Sequence, residues 1–242
     1  MRIDKYLSEC GLASRTEAAK AARAGLITVN GAVIVKADLH IAPETDRVTY
    51  KGEAVTYRKF TFVMLNKPSG YLSSTEDGNG ATVMELLPKE FFKMGLFPCG
   101  RLDKDTTGLL IMTNDGETAH KLLSPKHHVP KTYAFQCASP LTEADKTALE
   151  VGVNIGGYVT KTASLTTEES GRAGTITITE GKFHQIKRMF EAVDNKITRL
   201  ERTIFNKIPL DPSLPLSNWR YLTSEEIASL QNWSGEGTDK DE

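Results

Sequence analysis

Asn30-Gly31, set between the β-branched runs Leu26–Val29 and Ala32–Val35, constrains the fold of this chain more tightly than any other short stretch. Both residues tolerate the left-handed backbone that a two-residue hairpin turn demands, and the flanking runs supply strand formers. Two helical segments precede it. In Arg2–Cys10, Ile3, Tyr6 and Leu7 recur at helical spacing, and Gly11 stands where that helix must end. In Ser14–Gly25, Ser14 with Glu17 three residues on forms a capping box ahead of an alanine-rich run, and Gly25 marks the stop. Two short helices and a hairpin make a compact module over residues 1–58. The polar, broken stretch 49–59 reads as the linker.

The second unit, residues 59–231, carries strand-like runs at Phe60–Ser74, Gly108–Thr113, Lys131–Ser139, Gly174–Gly181 and Lys196–Phe205. Helix-like runs lie between them at Ala81–Pro88, Glu117–Ser124, Thr142–Glu150 and His184–Val193. The pattern reads as mixed rather than as a repeated β-α-β unit, so an α+β fold is expected, with a largely antiparallel mixed sheet and flanking helices. The acidic, glycine-containing end, residues 232–242, reads as a disordered tail.

Composition narrows the classes of function. The 242 residues are 39% hydrophobic and 25% charged, ordinary for a soluble globular protein. No apolar run approaches the ~20 residues that span a bilayer, and the N-terminus is charged from Arg2, without a signal-peptide core. Cys10, Cys99 and Cys137 are odd in number and lack a Cys-x-x-Cys pair, which fits a cytoplasmic protein and not a disulfide framework or zinc site. The net charge of −1 is unevenly spread: residues 225–242 hold six acids and one base, and without them 29 basic residues face 25 acidic ones. That permits an anionic partner. Arg2, Lys5, Arg15, Lys20 and Arg23 lie on the two N-terminal helices, either as a solvated basic face or as a surface that tracks phosphates.

The chemistry-bearing stretch is Gly100–Gly116, with Asp103, Asp105 and Asp115 around one apolar run. Asp103-Lys104-Asp105-Thr106-Thr107 fits the D-x-D-x-T of a phosphatase nucleophile loop, but that loop follows an apolar strand, and here the strand Leu109–Thr113 comes after the acids. Metal binding is no better supported. His127 and His128 are adjacent and would face opposite sides of a strand, and His40, His120 and His184 show no ligand spacing. Side chains that cap local amides account for Asp105, Thr106 and Asp115.

The order M-R-I-D-K-Y-L, S-R-T-E-A, L-I-T-V-N-G in the first module resembles the S4 RNA-binding domain. The loop G-R-L-D-K-D-T-T-G-L-L, together with L-N-K-P-S-G-Y (65–71), S-P-K-H-H-V-P-K-T-Y (124–133), E-G-K-F-H-Q-I-K-R-M-F (180–190) and Y-L-T-S-E-E-I (221–227), resembles the RsuA-type pseudouridine synthases in the family's own order. The likeness is strongest to the branch acting on small-subunit ribosomal RNA, with sister branches acting on the large subunit. It implies a monomer that works on ribosomal RNA or an assembling particle, away from membranes, with no cofactor and no metal. Uracil is detached from its ribose, rotated and rejoined through a ring carbon.

The resemblance assigns the essential carboxylate, as nucleophile or as base, to Asp103 and its cationic partner to Lys187. Arg188 is the alternative partner. Tyr133 is assigned to stacking on the flipped base, and Arg101, Leu102, Gln185, Arg188 and Leu200 to contacts with the substrate. The chain departs from the family pattern at Asp194, where glycine is usual, and at Phe205. A phenylalanine there is expected to reshape an edge of the pocket.

Overall fold

The computed structural model describes residues 1–76 and 80–234, which form two compact units. One comprises Met1–Thr61 with Met84–Phe97; the other comprises Phe62–Val83 and the chain from Pro98 onward.

The first unit begins with α1 (Ile3–Glu9) and α2 (Arg15–Arg23). The capping box forms: Ser14 Oγ accepts from the Glu17 amide at 3.2 Å, and the Glu17 carboxylate accepts from the Ser14 amide at 2.7 Å. Strands β1 (Ile27–Val29) and β2 (Ala32–Val33) meet at Asn30 and Gly31, whose φ values are +52° and +83°. Two further strands, β3 (Val48–Tyr50) and β4 (Glu53–Val55), complete an antiparallel sheet of order β2-β1-β3-β4. The first half of the stretch expected to be a linker, residues 49–55, is therefore strand and turn. Lys51 and Gly52, at φ +55° and +87°, make a second tight turn, and Val48 buries its side chain beside Ile27. Tyr57 then stacks on Tyr6 at 5.3 Å and donates to Glu9 at 2.7 Å.

Helix α3 (Lys89–Lys93) also belongs to this unit, an addition the division at residue 58 does not provide for. Gly11, at φ +71°, lies so close to it that a Cβ would come within 2.5 Å of the Glu90 carbonyl oxygen. The expected helix at Ala81–Pro88 shortens to one 3₁₀ turn, Val83–Leu86, with Pro88 soon after to prevent its extension.

The second unit is built on one mixed sheet. In chain order its elements are β5 (Phe62–Lys67), the two-residue boundary strand β6 (Phe97–Pro98), β7 (Thr107–Thr113), α4 (Gly116–Leu123), β8 (Lys131–Cys137) and α5 (Glu143–Val151). There follow β9 (Ser164–Thr167), β10 (Ala173–Ile178), α6 (Gln185–Glu191), β11 (Ile197–Phe205), β12 (Ile208–Pro209), β13 (Trp219–Tyr221) and α7 (Ser224–Gln231). The main path runs β13-β5-β7-β11-β8-β10-β9, with β12 on β11. Along it only β7 and β11 pair in parallel. Strand β5 is buried along its whole length and β7 from Gly108 onward, as central strands covered on both faces are. Asp115 caps α4 by accepting from the Thr118 amide at 3.1 Å.

Order continues into the segment expected to be a disordered tail. Trp233 is buried, and its indole N–H donates to the His127 carbonyl at 3.0 Å. A large apolar ring with a satisfied donor packs even in a polar stretch. The rest of the acidic tail, residues 235–242, lies outside the described residues.

Candidate active site

Asp103 sits in the short loop that enters β7, and that loop is held at both ends. Upstream, Ser73 is buried and binds Leu102 reciprocally: its hydroxyl donates to the Leu102 carbonyl at 3.0 Å and accepts from the Leu102 amide at 3.1 Å. Downstream, Lys67 at the end of β5 is fully buried. Its ammonium faces the carbonyl oxygens of Pro68 (3.1 Å), Asp103 (3.1 Å), Lys104 (3.2 Å) and Thr106 (2.8 Å). Three N–H donors shared among four carbonyls make a clamp on the loop backbone. Burial pushes the Lys67 pKa down to about 8, against the attraction of Asp105 and Asp103. The Lys104 carbonyl also accepts from Gly70 at 2.8 Å.

The segment from Lys67 to Ser73 is thus a cradle for Asp103. Where the loop passes into β7, Gly108 runs at φ +95°, so close to Arg202 that a Cβ would collide with its backbone. No other residue type fits there without distortion.

The Asp103 carboxylate meets the first turn of α6. Lys187 Nζ lies 3.1 Å from Asp103 Oδ2 and 2.5 Å from Asp105 Oδ1, and His184 Nε2 is 3.7 Å from Asp103 Oδ1. Side-chain exposure is 25% at Asp103 and 20% at Lys187, so the pair is sheltered yet reachable. Burial alone would lower the Lys187 pKa, but the hydrogen bonds to Asp105 and Asp103 outweigh it and raise the value. The same contact with Lys187 holds the Asp105 carboxyl below the usual carboxylate range.

A pocket opens over this pair. Its walls are Leu102 and Asp103 from the loop, Tyr133 from β8, Ile178 at the end of β10, Ile186 from α6 and Leu200 from β11. Tyr133 is buried to 8% exposure and Leu200 to 7%, so each presents one face to the opening. Arg101 and Gln185 also line it. The Gln185 amide nitrogen donates to Glu180 at 2.6 Å while its oxygen accepts from the Lys182 amide at 2.9 Å, locking the turn that enters α6. A pocket that sets Leu102, Tyr133, Ile178, Ile186 and Leu200 beside a held carboxylate and the polar side chains of Arg101, Lys182, His184 and Gln185 suits a flat heterocycle joined to a sugar.

Six of the sequence-derived candidates therefore line one pocket: Arg101, Leu102, Asp103, Tyr133, Gln185 and Leu200. Lys187 stands behind Asp103 as its ion-pair partner. Arg188 does not line the pocket; its guanidinium donates to the Ile155 carbonyl, because consecutive helical residues diverge by about 100°. Phe205 does not shape the pocket edge either. It is fully buried, with Arg202 over its ring at 5.2 Å and Lys131 at 5.9 Å. Asp194 takes the left-handed conformation at φ +54° that glycine would adopt.

On the N-terminal helices, Arg2 is spent on buried Asp4 at 2.7 Å, and Lys5 faces Glu9 at 3.6 Å. Arg15, Lys20 and Arg23 stand exposed on α2. Asp105, expected to cap local amides, instead pairs with Lys187, and His184, weighed only as a metal ligand, faces Asp103; the sequence assigned no role to Lys67 or Ser73. A lysine closing an apolar strand was the available signal for the first. Among the described residues no three His, Cys, Asp or Glu side chains group to hold a metal ion, and no helix is long and apolar enough to cross a membrane.

Comparison with known proteins agrees with this geometry. Residues 61–192 match the family described as RNA pseudouridylate synthase, and residues 1–45 match the S4 domain. The chain is 46% identical over 234 residues to the uncharacterized RNA pseudouridine synthase YtzG of Bacillus subtilis, covering 95% of this chain and 98% of that one. It is 40% identical to the ribosomal small subunit pseudouridine synthase A of Yersinia pestis (95% and 98% covered) and 38% to that of Escherichia coli (95% and 100%). A crystal structure of a pseudouridylate synthase superposes with a TM-score of 0.67 at 35% identity, over 95% of this chain and 99% of that one. All of the residues lining the pocket around Asp103 except Leu200 lie within residues 61–192, and the chain belongs to the RNA pseudouridylate synthase family, in its RsuA-type branch.

Proposed function

We propose that this protein converts one uridine of small-subunit ribosomal RNA to pseudouridine, using Asp103 as the essential carboxylate. The observation that carries the reading is the Asp103–Lys187 pair, 3.1 Å apart, beneath a slot walled by Tyr133 and Leu200. The uridine leaves its stack at a cost of roughly a few kcal/mol. The Tyr133 ring and the aliphatic walls recover part of that cost by contact with the base. The glycosidic bond from N1 to C1′ breaks, the base turns, and C5 bonds to C1′. The proton on C5 is lost and N1 gains one, so the reaction is an isomerisation and needs no redox partner.

Asp103 acts on the sugar, either by attack at C1′ or by removing a ribose proton, and Lys187 holds the carboxylate in place at 3.1 Å for either role. Names of relatives favour the small-subunit target. The exposed cations Arg15, Lys20 and Arg23 suit the phosphates of the RNA.

The test maps pseudouridines in ribosomal RNA from cells with and without the gene. Loss of a single small-subunit site, restored by the wild-type gene and not by Asp103→Asn, is the expected result. Loss of a large-subunit site overturns the target, and no lost site overturns the activity.

A further inference from the structure

We propose that Phe183 and His184 form a stacking platform for the nucleobase next to the flipped uridine. This rests on the isomerase reading and extends it from the reacting base to its neighbour. Among the large apolar side chains of the described residues, Phe183 is the most exposed, at 74%. Single apolar residues on a surface are ordinary, but this one is built in. Its ring lies on the His184 imidazole with centroids 3.8 Å apart and planes 18° from parallel, so the imidazole holds the ring in place and the outer face of Phe183 is left for a base to stack on.

The other side of His184 belongs to the pocket. Its Nε2 is 3.7 Å from Asp103 Oδ1, and the residue is part of the lining. A uridine seated over Asp103 therefore brings its adjoining nucleotide to the ring pair.

The backbone fixes that presentation. His184 takes the left-handed conformation, φ +49°, directly before α6, which few side chains adopt without a compensating contact. The turn is braced by the Gln185 amide donating to the Lys182 carbonyl at 3.2 Å, and by Gln185 bridging the Lys182 amide and Glu180. Glu180 in turn accepts from the Tyr158 hydroxyl at 2.6 Å, and Lys182 Nζ lies 4.3 Å from the centre of the Tyr158 ring. Lys182 and Arg101 put cations on the same rim for the phosphates that flank a stacked base. Stacking tolerates any base because every base has a π-face, so the platform contributes affinity and register rather than sequence choice.

Phe183→Leu keeps the apolar bulk and removes the π-face, whereas Phe183→Trp enlarges that face. With a small-subunit ribosomal RNA transcript tritiated at uridine C5, Phe183→Leu is expected to raise KM by about 5- to 100-fold, the worth of one stacked base, and to lower kcat far less. Phe183→Trp is expected to restore KM, and its added indole to lose fluorescence when the transcript binds, beyond any change in the wild type. Unchanged KM in Phe183→Leu overturns the platform, as does a loss confined to kcat. If the wild type releases no tritium from this transcript, the choice of target fails. The platform is then judged by indole quenching with a single-stranded oligouridine, where absence of quenching overturns it.

Discussion

At the residue scale the site depends on two lysines with opposite environments. Lys187 is raised above its ordinary pKa, because the hydrogen bonds to Asp105 and Asp103 outweigh burial. Its stabilising contribution is complete below the unfolded value near 10.4 and is lost as pH climbs through the higher folded value. Asp105, lowered chiefly by Lys187, contributes above about pH 3.9 and loses that contribution as pH falls through its folded value. The stability gap between wild type and Lys187→Met, measured by urea midpoints, is therefore expected to be flat from about pH 5 to pH 9 and to narrow outside that window. The same substitution is expected to slow turnover on the order of a hundredfold, with Lys187→Arg recovering part of the loss.

Lys67 has no exposed charge to lose. Lys67→Met takes the lysine donor from the carbonyls of Pro68 and Thr106, at roughly 1–3 kcal/mol for a buried acceptor left unpaired, while those of Asp103 and Lys104 keep the Thr106 and Gly70 amides. Calorimetry is expected to show Tm lower by several degrees, and tritium release to fall with it. Asp103, Tyr133 and Lys187 were legible because their motifs carried them. The role of Lys67 was not, since a lysine before Pro-Ser-Gly looks like an ordinary solvated loop residue until the sheet closes over it.

At the element scale, local chemistry was legible wherever a residue type has only one cheap conformation. Asn30-Gly31 and the Ser14–Glu17 box were read directly. The Lys51-Gly52 turn was hidden because lysine does not advertise a left-handed backbone, and so β3 and β4 were taken for a linker. The order of strands was hidden for another reason. The largely antiparallel character was legible, because the runs of the second unit do not repeat as β-α-β units, but which strands are neighbours was not. Register decides that, such as Phe62 opposite Thr113 and Arg202 opposite both Gly108 and Tyr133. The parallel pairing of β7 with β11 depends on Gly108. Gly108→Ala forces a Cβ into the Arg202 backbone at a left-handed φ, and urea unfolding is expected to show a loss of at least ~2 kcal/mol. An alanine variant as stable as wild type would contradict the close approach.

At the scale of the whole molecule, one unit offers exposed cations and the other an open pocket over a held carboxylate, and RNA chemistry gives each a task. If Lys20 and Arg23 track phosphates, the double change Lys20→Gln with Arg23→Gln weakens binding alike for all RNA sequences. It also flattens the plot of log affinity against log salt by about 1.4 for single-stranded contacts. Filter binding from low to moderate salt checks this, and an unchanged slope would assign those residues to a solvated face.

The net charge of −1 concealed this possibility, because the acids gathered at residues 225–242 offset an otherwise basic chain. The proposed function makes Asp103 the residue on which the chemistry turns, and tritium release from ribosomal RNA labelled at uridine C5 measures that chemistry at the atom where it happens. Asp103→Asn, which keeps the size of the side chain and removes its charge, is expected to bind the RNA and release no tritium above background. Substantial turnover by that variant would contradict the assignment of Asp103 as the essential carboxylate.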